Sequence, residues 1–322
     1  MHHFATYFDR NYLAQGLTLY RSLTDHVSPF TLWVLCFDDF AHDVISRLNL
    51  ANLRPVSLGE FEGRDEALQE AKRNRSRVEY FFTCTPSWLL YLLNHHPEIE
   101  RITYLDADLM FYASPSPIFE EQGDRSILIV GHRFPERLRH LESQFGIYNV
   151  SLLAFRNDTQ GKVCLQWWRD RCLEWCFDRP EEGRFADQKY LDDWPTRFEG
   201  VVVLQNKGAG LAPWNHMNYA VRLQNGRLTV DDNPLIFYHF QGVRMIHRRF
   251  FDPGVHRYGP MPSELRRRLY APYVRSLLDT EQWVRSRLPS VDLITPQLYT
   301  RDYRLRTFVL RILQRQIMLV PR

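Results

Sequence analysis

Asp106 and Asp108 are the residues whose type and spacing most suit chemistry, because they close a short apolar run. The segment reads Ile102-Thr103-Tyr104-Leu105-Asp106-Ala107-Asp108-Leu109-Met110-Phe111-Tyr112. Its first part has the length and composition of a buried strand. A carboxylate at the end of such a strand is costly to bury unless it is paired or binds a metal. On an extended backbone residues i and i+2 point to the same side, so one cation could take an oxygen from each. Carboxylate oxygens suit hard divalent ions such as Mg²⁺ or Mn²⁺. A solvated turn is the competing reading of a bare Asp-x-Asp, and the apolar frame on both sides weighs against it.

The surrounding pattern supplies elements to hold such a site. Residues 4–8, 30–37 and 53–58 read as strands, and 13–23 and 40–50 have helical spacing. A charged helical stretch at 66–77 precedes a more apolar helix at 80–93, expected behind the strand that carries Asp106. Further strands are expected at 126–130 and 147–155, and a helix at 161–177. A short helix at 185–191 holds Asp187 and Gln188 in its first turn. Asn225-Gly226 marks a hairpin, and the strand at 234–240 ends in His239-Phe240-Gln241-Gly242. Helices are expected over 264–270 and 274–288. The alternation predicts an open, largely parallel sheet, which binds ligands at the carboxyl ends of its strands. Asp9 and Asp106 fall at such ends. A boundary near residue 255 divides an α/β domain, 1–255, from a helical extension, 256–322.

Composition removes other classes. The 322 residues carry 44% hydrophobic and 25% charged side chains, the proportions of a soluble globular chain. A net charge of +3 is too small for a nucleic-acid binder, so no nucleic acid is expected as partner. Aromatic content of 14% suits carbohydrate handling, although core packing accounts for most aromatics. The cysteines, Cys36, Cys84, Cys164, Cys172 and Cys176, are odd in number and form no C-x-x-C, which argues against a disulfide framework or a zinc site. Cys164, Cys172 and Cys176 share a face with Trp168 and read as core. The start lacks the pattern of a signal peptide and no run is apolar for about 18 residues, so a cytoplasmic setting is expected.

Four patterns in order carry a resemblance: Phe4-Ala5-Thr6-Tyr7-Phe8-Asp9-Arg10-Asn11-Tyr12, a strand leading into D-x-N-Y; Asp106-Ala107-Asp108; Asp187-Gln188; and His239-Phe240-Gln241-Gly242. Over roughly residues 3–245 the chain resembles a GT-A glycosyltransferase and is most similar to the family 8 group. The resemblance implies a Rossmann-like, mixed and mostly parallel sheet flanked by helices. It implies transfer of a sugar from a nucleotide-diphosphate donor, UDP favoured, to a saccharide or lipid-linked acceptor with retention, as in polysaccharide biosynthesis. Thr6, Tyr7, Asp9, Asn11 and Tyr12 would hold nucleobase and ribose, Ala107 and Gly242 would lie against the donor, and His239 would complete a metal site with Asp106 and Asp108. The usual diphosphate-binding Lys is replaced by Met245, with Arg244 or Arg248 as substitutes. Asn149, in Tyr148-Asn149-Val150-Ser151, is the residue kept from the family's F-N-A-G-V, and would touch donor or acceptor sugar. Arg77 is preferred to Arg75 as the basic residue near the donor.

The residues suit these roles chemically, each against a plainer alternative. A nucleoside diphosphate departs with added negative charge, which a divalent ion stabilises. An imidazole ligand favours Mn²⁺ over Mg²⁺; otherwise His239 is a core histidine at a strand end. Asp9 and Asn11 can bond a base edge or ribose hydroxyl, or serve turn chemistry. Gln188 and Asp187 fit positioning and electrostatic roles in catalysis, while Asp187 also fits a helix N-cap. Trp214 and Asn215, in the glycine-rich 208–215 loop, are acceptor candidates, with Trp214 either stacking on sugar or plugging the core. Two other readings use the same features: a non-catalytic nucleotide-sugar-binding protein, and a haloacid-dehalogenase-type phosphatase, whose D-x-D stands on the first strand. A Rossmann oxidoreductase would need G-x-G-x-x-G after the first strand, where none occurs.

The tail forms its own pattern. Tyr303, Leu305, Phe308, Val309, Ile312, Leu313 and Ile317 recur at helical spacing up to Leu319, among Arg301, Arg304, Arg306, Arg311 and Arg315. Such a basic amphipathic helix packs on the domain, or holds the protein peripherally on an anionic inner membrane surface through 301–319.

Overall fold

The structure, a computed structural model, describes residues 1–63, 65–247, 250–294, 309–312 and 317–319. Its main strands are β1 (His2–Phe8), β2 (Phe30–Cys36), β3 (Leu53–Ser57), β4 (Arg101–Leu105), β6 (Ile127–Gly131), β7 (Tyr148–Arg156) and β8 (Val201–Val203), with β5 (Leu109–Phe111) lying outside that sheet. The order is β3-β2-β1-β4-β7-β6-β8. β1 runs parallel to β2 and β4, β2 to β3, and β6 to β8. Only β7 opposes its neighbours, β4 and β6. The expected mixed, mostly parallel sheet flanked by helices is therefore what the chain forms.

Alternation along β1 divides the core. Phe4 and Phe8 join the cluster under helix Leu13–His26, while Ala5 and Tyr7 face the cluster built by helices Arg77–His95 and Thr159–Glu174 around Trp88 and Trp168. Both tryptophans are fully buried, and truncating either to Ala would cost about 3–5 kcal/mol. Helix Leu13–His26 approaches β1 closely because it carries Gly16: a Cβ there would lie 2.1 Å from the Phe8 ring. The five cysteines are buried and unpaired in disulfides.

The second half adds β9 (Val221–Gln224), β10 (Arg227–Val230), β11 (Asn233–Pro234), β12 (Phe237–His239), β13 (Arg244–His247), β14 (Phe250–Asp252) and β15 (Met318–Leu319). Asn225 and Gly226 join β9 to β10 with φ of 49° and 75°, the left-handed pair that a two-residue hairpin needs. β12 lies antiparallel to β5. Helix Ala271–Arg287 packs back on the domain: Arg21 donates to Thr280 at 3.0 Å, and Tyr273 stacks on Phe240 at 3.7 Å.

Four local expectations are corrected. The stretch 66–77 is not one helix: Glu66–Arg73 ends, and a capping box of Ser76 and Glu79 starts helix Arg77–His95. Residues 106–108 are not extended but form a turn, closed by Leu109 N–H donating to the Asp106 carbonyl. The short helix begins at Lys189, so Asp187 is not its N-cap; Gln188 holds that place without a side-chain cap bond. The tail helix does not reach Leu319. Residues 309–312 are helical, but Met318 and Leu319 pair with Phe251 and Phe250, because an unpaired strand edge is a ready partner for an extended segment. Tyr303, Leu305, Phe308, Leu313, Arg301, Arg304, Arg306, Arg315 and Arg248 lie outside the described residues. Among the described residues no helix is long and apolar enough to cross a membrane.

Candidate metal and donor site

The β5–β12 register builds the centre of the site. It sets His239 opposite Leu109, and Phe240 N–H donates to the Asp108 carbonyl at 3.0 Å. His239 is thereby brought to the turn after β4. Its Nε2 lies 3.0 Å from Asp108 Oδ1 and 3.6 Å from Asp106 Oδ2. One ligand atom from each of the three residues falls within 4.8 Å of the others. Asp108 and His239 are buried, while Asp106 keeps 30% of its side chain open to the cleft. The His239 ring is held by packing, with Trp214 edge-on at 5.3 Å, and its Nδ1 is buried without a hydrogen bond among the described residues.

The electrostatics favour a cation. Burial pushes the Asp106 carboxyl up to about 6; nearby His239 opposes that and the Asp108 carboxylate adds to it. Burial alone would lower His239, but the Asp108 carboxylate, which accepts its hydrogen bond, and Asp106 raise it overall. Two carboxylates and an imidazole held this close suit a divalent ion.

The D-x-N-Y turn lies at the end of β1. Asp9 is buried and accepts from Asn11 N–H at 2.8 Å and from the Asn11 amide at 3.0 Å. Arg77 donates to the same carboxylate through Nε at 3.1 Å, and its Nη2 lies 3.5 Å from Asp38. The capping box makes Arg77 the first residue of its helix, and this helix start approaches the turn after β1. Arg75 points elsewhere, to the Leu173 carbonyl and over the Phe177 ring. Tyr12 is 42% exposed, and burial of its phenol, with the Asp108 charge adding, raises it well above the usual tyrosine range. Thr6 is fully buried, and Ala107 and Tyr7 lie just beneath the surface.

Asp187 and Gln188 approach from another side. Ala186 before them holds φ at 46°, a left-handed conformation that costs a non-glycine residue about 1–2 kcal/mol. The Asp187 carboxylate accepts from Thr85 at 2.9 Å, and its carbonyl accepts from Trp168 Nε1 at 2.8 Å. Burial pushes this carboxyl up to about 7, with the Thr85 hydrogen bond opposing and the Asp106 charge adding. The Gln188 amide donates to the Phe145 carbonyl at 2.8 Å, leaving its oxygen as the available end.

Three candidates are committed to internal hydrogen bonds. Asn149 is buried, donating to the Gly131 carbonyl and accepting from Ser151 N–H. Asn215 is fully buried and braces its loop through His132, Gly210 and Ala212. Trp214 is 4% exposed and donates to the His132 carbonyl at 2.9 Å, so its ring lies in the core. Gly242, at φ 81°, and Arg244 line a cleft with Gln241, Gly254, His256, Arg257, and Asp252 paired with Arg311. Sequence reasoning missed Tyr104, Thr85 and Asp38. Tyr104, two residues before Asp106, carried a periodic signal; Thr85, in the middle of a helix, carried none.

Comparison with solved structures places this fold. The chain superposes on the galactosyltransferase LgtC in complex with donor and acceptor sugar analogs with a TM-score of 0.54, covering 83% of this chain and 100% of that one at 17% identity. It superposes on the glycosyltransferase GlyE of Streptococcus pneumoniae TIGR4 with a TM-score of 0.51, covering 89% of this chain and 63% of that one at 15% identity. The fold is the GT-A fold of glycosyltransferases. By sequence, the chain is 36% identical over 250 residues to YfnF of Bacillus subtilis strain 168, covering 76% of this chain and 82% of that protein. It is 30% identical over 284 residues to YfnD of the same strain, covering 88% and 89%. The chain belongs to the family of YfnF and YfnD, both uncharacterized proteins. No protein-family model matches it.

Proposed function

We propose that the protein is a metal-dependent glycosyltransferase that moves a sugar from a nucleotide-diphosphate donor, UDP favoured, to a saccharide or lipid-linked acceptor. The observation that carries this reading is the Asp106, Asp108 and His239 cluster at the strand ends of a GT-A sheet. Mn²⁺ bound there would stabilise the charge that gathers on the departing diphosphate. Asp106, Asp108 and His239 would hold it.

The other residues divide the donor among them. Asp9, Asn11 and Tyr12 take the nucleoside, with Arg77 neutralising the buried Asp9 carboxylate. Arg244, in the cleft beyond Gly242, takes the diphosphate where the family 8 group has a lysine. Asp187 and Gln188 lie by the anomeric carbon. There the bond to the diphosphate oxygen breaks and an acceptor hydroxyl oxygen bonds to the carbon, its proton passing to the departing phosphate oxygen; a carboxamide oxygen beside the developing positive charge favours that step. The family 8 pattern supports retention of configuration.

The test is a thermal-shift panel of UDP, GDP, CDP and dTDP sugars, each with and without Mn²⁺. A ligand that binds only the folded state raises the melting temperature by mass action. A shift for one nucleotide class that depends on Mn²⁺ is expected, and no shift in any combination sinks the reading.

A further inference from the structure

Three hydroxyls and one ring contact span the distance from the metal cluster to Asp187. Tyr104 donates to Asp106 Oδ1 at 2.9 Å. That is not the oxygen turned to His239, which is Oδ2. The β1–β4 register pairs Ala5 with Tyr104, so Tyr7, two residues on, lies on the same face of the sheet. The two rings pack with centroids 5.4 Å apart. The Tyr7 hydroxyl is 3.1 Å from Thr85 Oγ1, and Thr85 donates to Asp187 Oδ2 at 2.9 Å.

With Asp106 and Asp187 ionised, the direction of these bonds follows from what each group can do, because a carboxylate only accepts. Thr85 has one hydroxyl proton, which goes to Asp187, so Tyr7 must donate to Thr85. Tyr104 likewise donates to Asp106. Both tyrosines thus point their protons outward, one towards each acid. Burial raises the Tyr7 hydroxyl, and the charges of Asp187 and Asp106 raise it further, in keeping with a position between the two.

We infer that Tyr104, Tyr7 and Thr85 are positioning residues that hold Asp106 and Asp187 in one rigid frame. Tyr104 occupies Oδ1 of Asp106 and so presents Oδ2 to the cation. Tyr7 and Thr85 fix the Asp187 carboxylate to the same pair of strands. A water replacing the Tyr104 hydroxyl would satisfy Oδ1 without fixing the rotation of the carboxylate, so the variant loses geometry more than solvation. This inference rests on the metal-centre reading above.

Tyr104→Phe keeps the ring and removes the hydroxyl. Mn²⁺ is titrated by electron paramagnetic resonance into wild type and variant, with and without UDP, and the metal-free unfolding midpoint is recorded for both. The expected result is Mn²⁺ affinity weaker by about 10-fold or more, the usual cost of losing a group that orients a metal ligand. Thr85→Val should keep wild-type Mn²⁺ affinity but lower turnover with the donor that the thermal panel selects, and Thr85→Ser should restore it. Wild-type Mn²⁺ affinity in folded Tyr104→Phe overturns the inference, as does an equal loss in Thr85→Val. Wild type that takes no Mn²⁺ in either condition overturns the metal centre itself, and the frame with it. Should Tyr104→Phe fail to fold, the Thr85 pair decides: turnover of Thr85→Val equal to wild type overturns the inference.

Discussion

Nε2 of His239 lies 3.0 Å from Oδ1 of Asp108, and the contact exists because β12 runs antiparallel to β5 with His239 opposite Leu109. A histidine at the end of one short strand and an acid at the start of another are thereby placed around a single point. Neither strand belongs to the main sheet, so the ligand set depends on a separate two-stranded pairing beyond the end of β4, the middle strand of that sheet.

Asp106→Ala and Asp108→Ala should each abolish Mn²⁺-dependent transfer and leave the fold intact. Removing a ligand should cost more than the ~10–100-fold that loss of a supporting group costs. Metal titration and circular dichroism of the purified variants check this. Full turnover by Asp108→Ala in the presence of a chelator would refute metal dependence.

His239→Ala should weaken Mn²⁺ binding in the protein that remains folded. A histidine serving only the core would instead lower the melting temperature and leave metal affinity alone. The wild type adds a pH signature. Metal must displace protons from its ligands, and His239 and Asp106 both hold theirs more tightly than usual. Mn²⁺ affinity should therefore fall as pH is lowered through neutrality and be largely lost below about 6, where Asp106 is protonated. Affinity that persists to pH 4 would remove both residues from the ligand set.

Asp187→Asn should stabilise the fold at neutral pH. Burial holds this carboxyl up at about 7 in the folded protein, against about 3.9 when unfolded. Between those values the folded state keeps a proton that the unfolded state has released, so its contribution to stability is present at low pH and declines as pH rises through 7. The neutral amide escapes that decline. The melting temperature of the variant minus that of wild type, measured in chelator, should rise from pH 4 to pH 7 and then level off. A flat difference would show that Asp187 ionises at no cost to the fold.

Gln188→Ala should lower the turnover number far more than it weakens donor binding, because the proposed contact strengthens as the glycosidic bond breaks. Separate measurement of donor affinity and single-turnover rate distinguishes the two. Equal losses in both would make Gln188 a ground-state contact.

Local chemistry was enough to mark several parts of this protein in its sequence. An apolar run ending in Asp106 and Asp108 has few uses, and Asn225-Gly226 suits a left-handed turn of two residues, so both were legible. The strand of residues 4–8 and the acid at its end were legible for the same reason: period and punctuation are properties of neighbours in the chain. The remaining features were settled by packing between distant segments. Only the β5–β12 register makes His239 part of the cluster, and only the approach of this helix start to the turn after β1 puts Arg77 on Asp9. Trp214 was equally compatible with a sugar or a core, and the fold decides it by having Trp214 and Asn215 both donate to the His132 carbonyl inside the domain. Thr85 gave no sign at all, because a hydroxyl inside a helix becomes informative only when an acid from another segment, Asp187, is brought to within 2.9 Å of it. Sequence patterns report which faces are apolar; which polar groups meet depends on the sum of many weak long-range contacts, and that sum exists only in the folded chain.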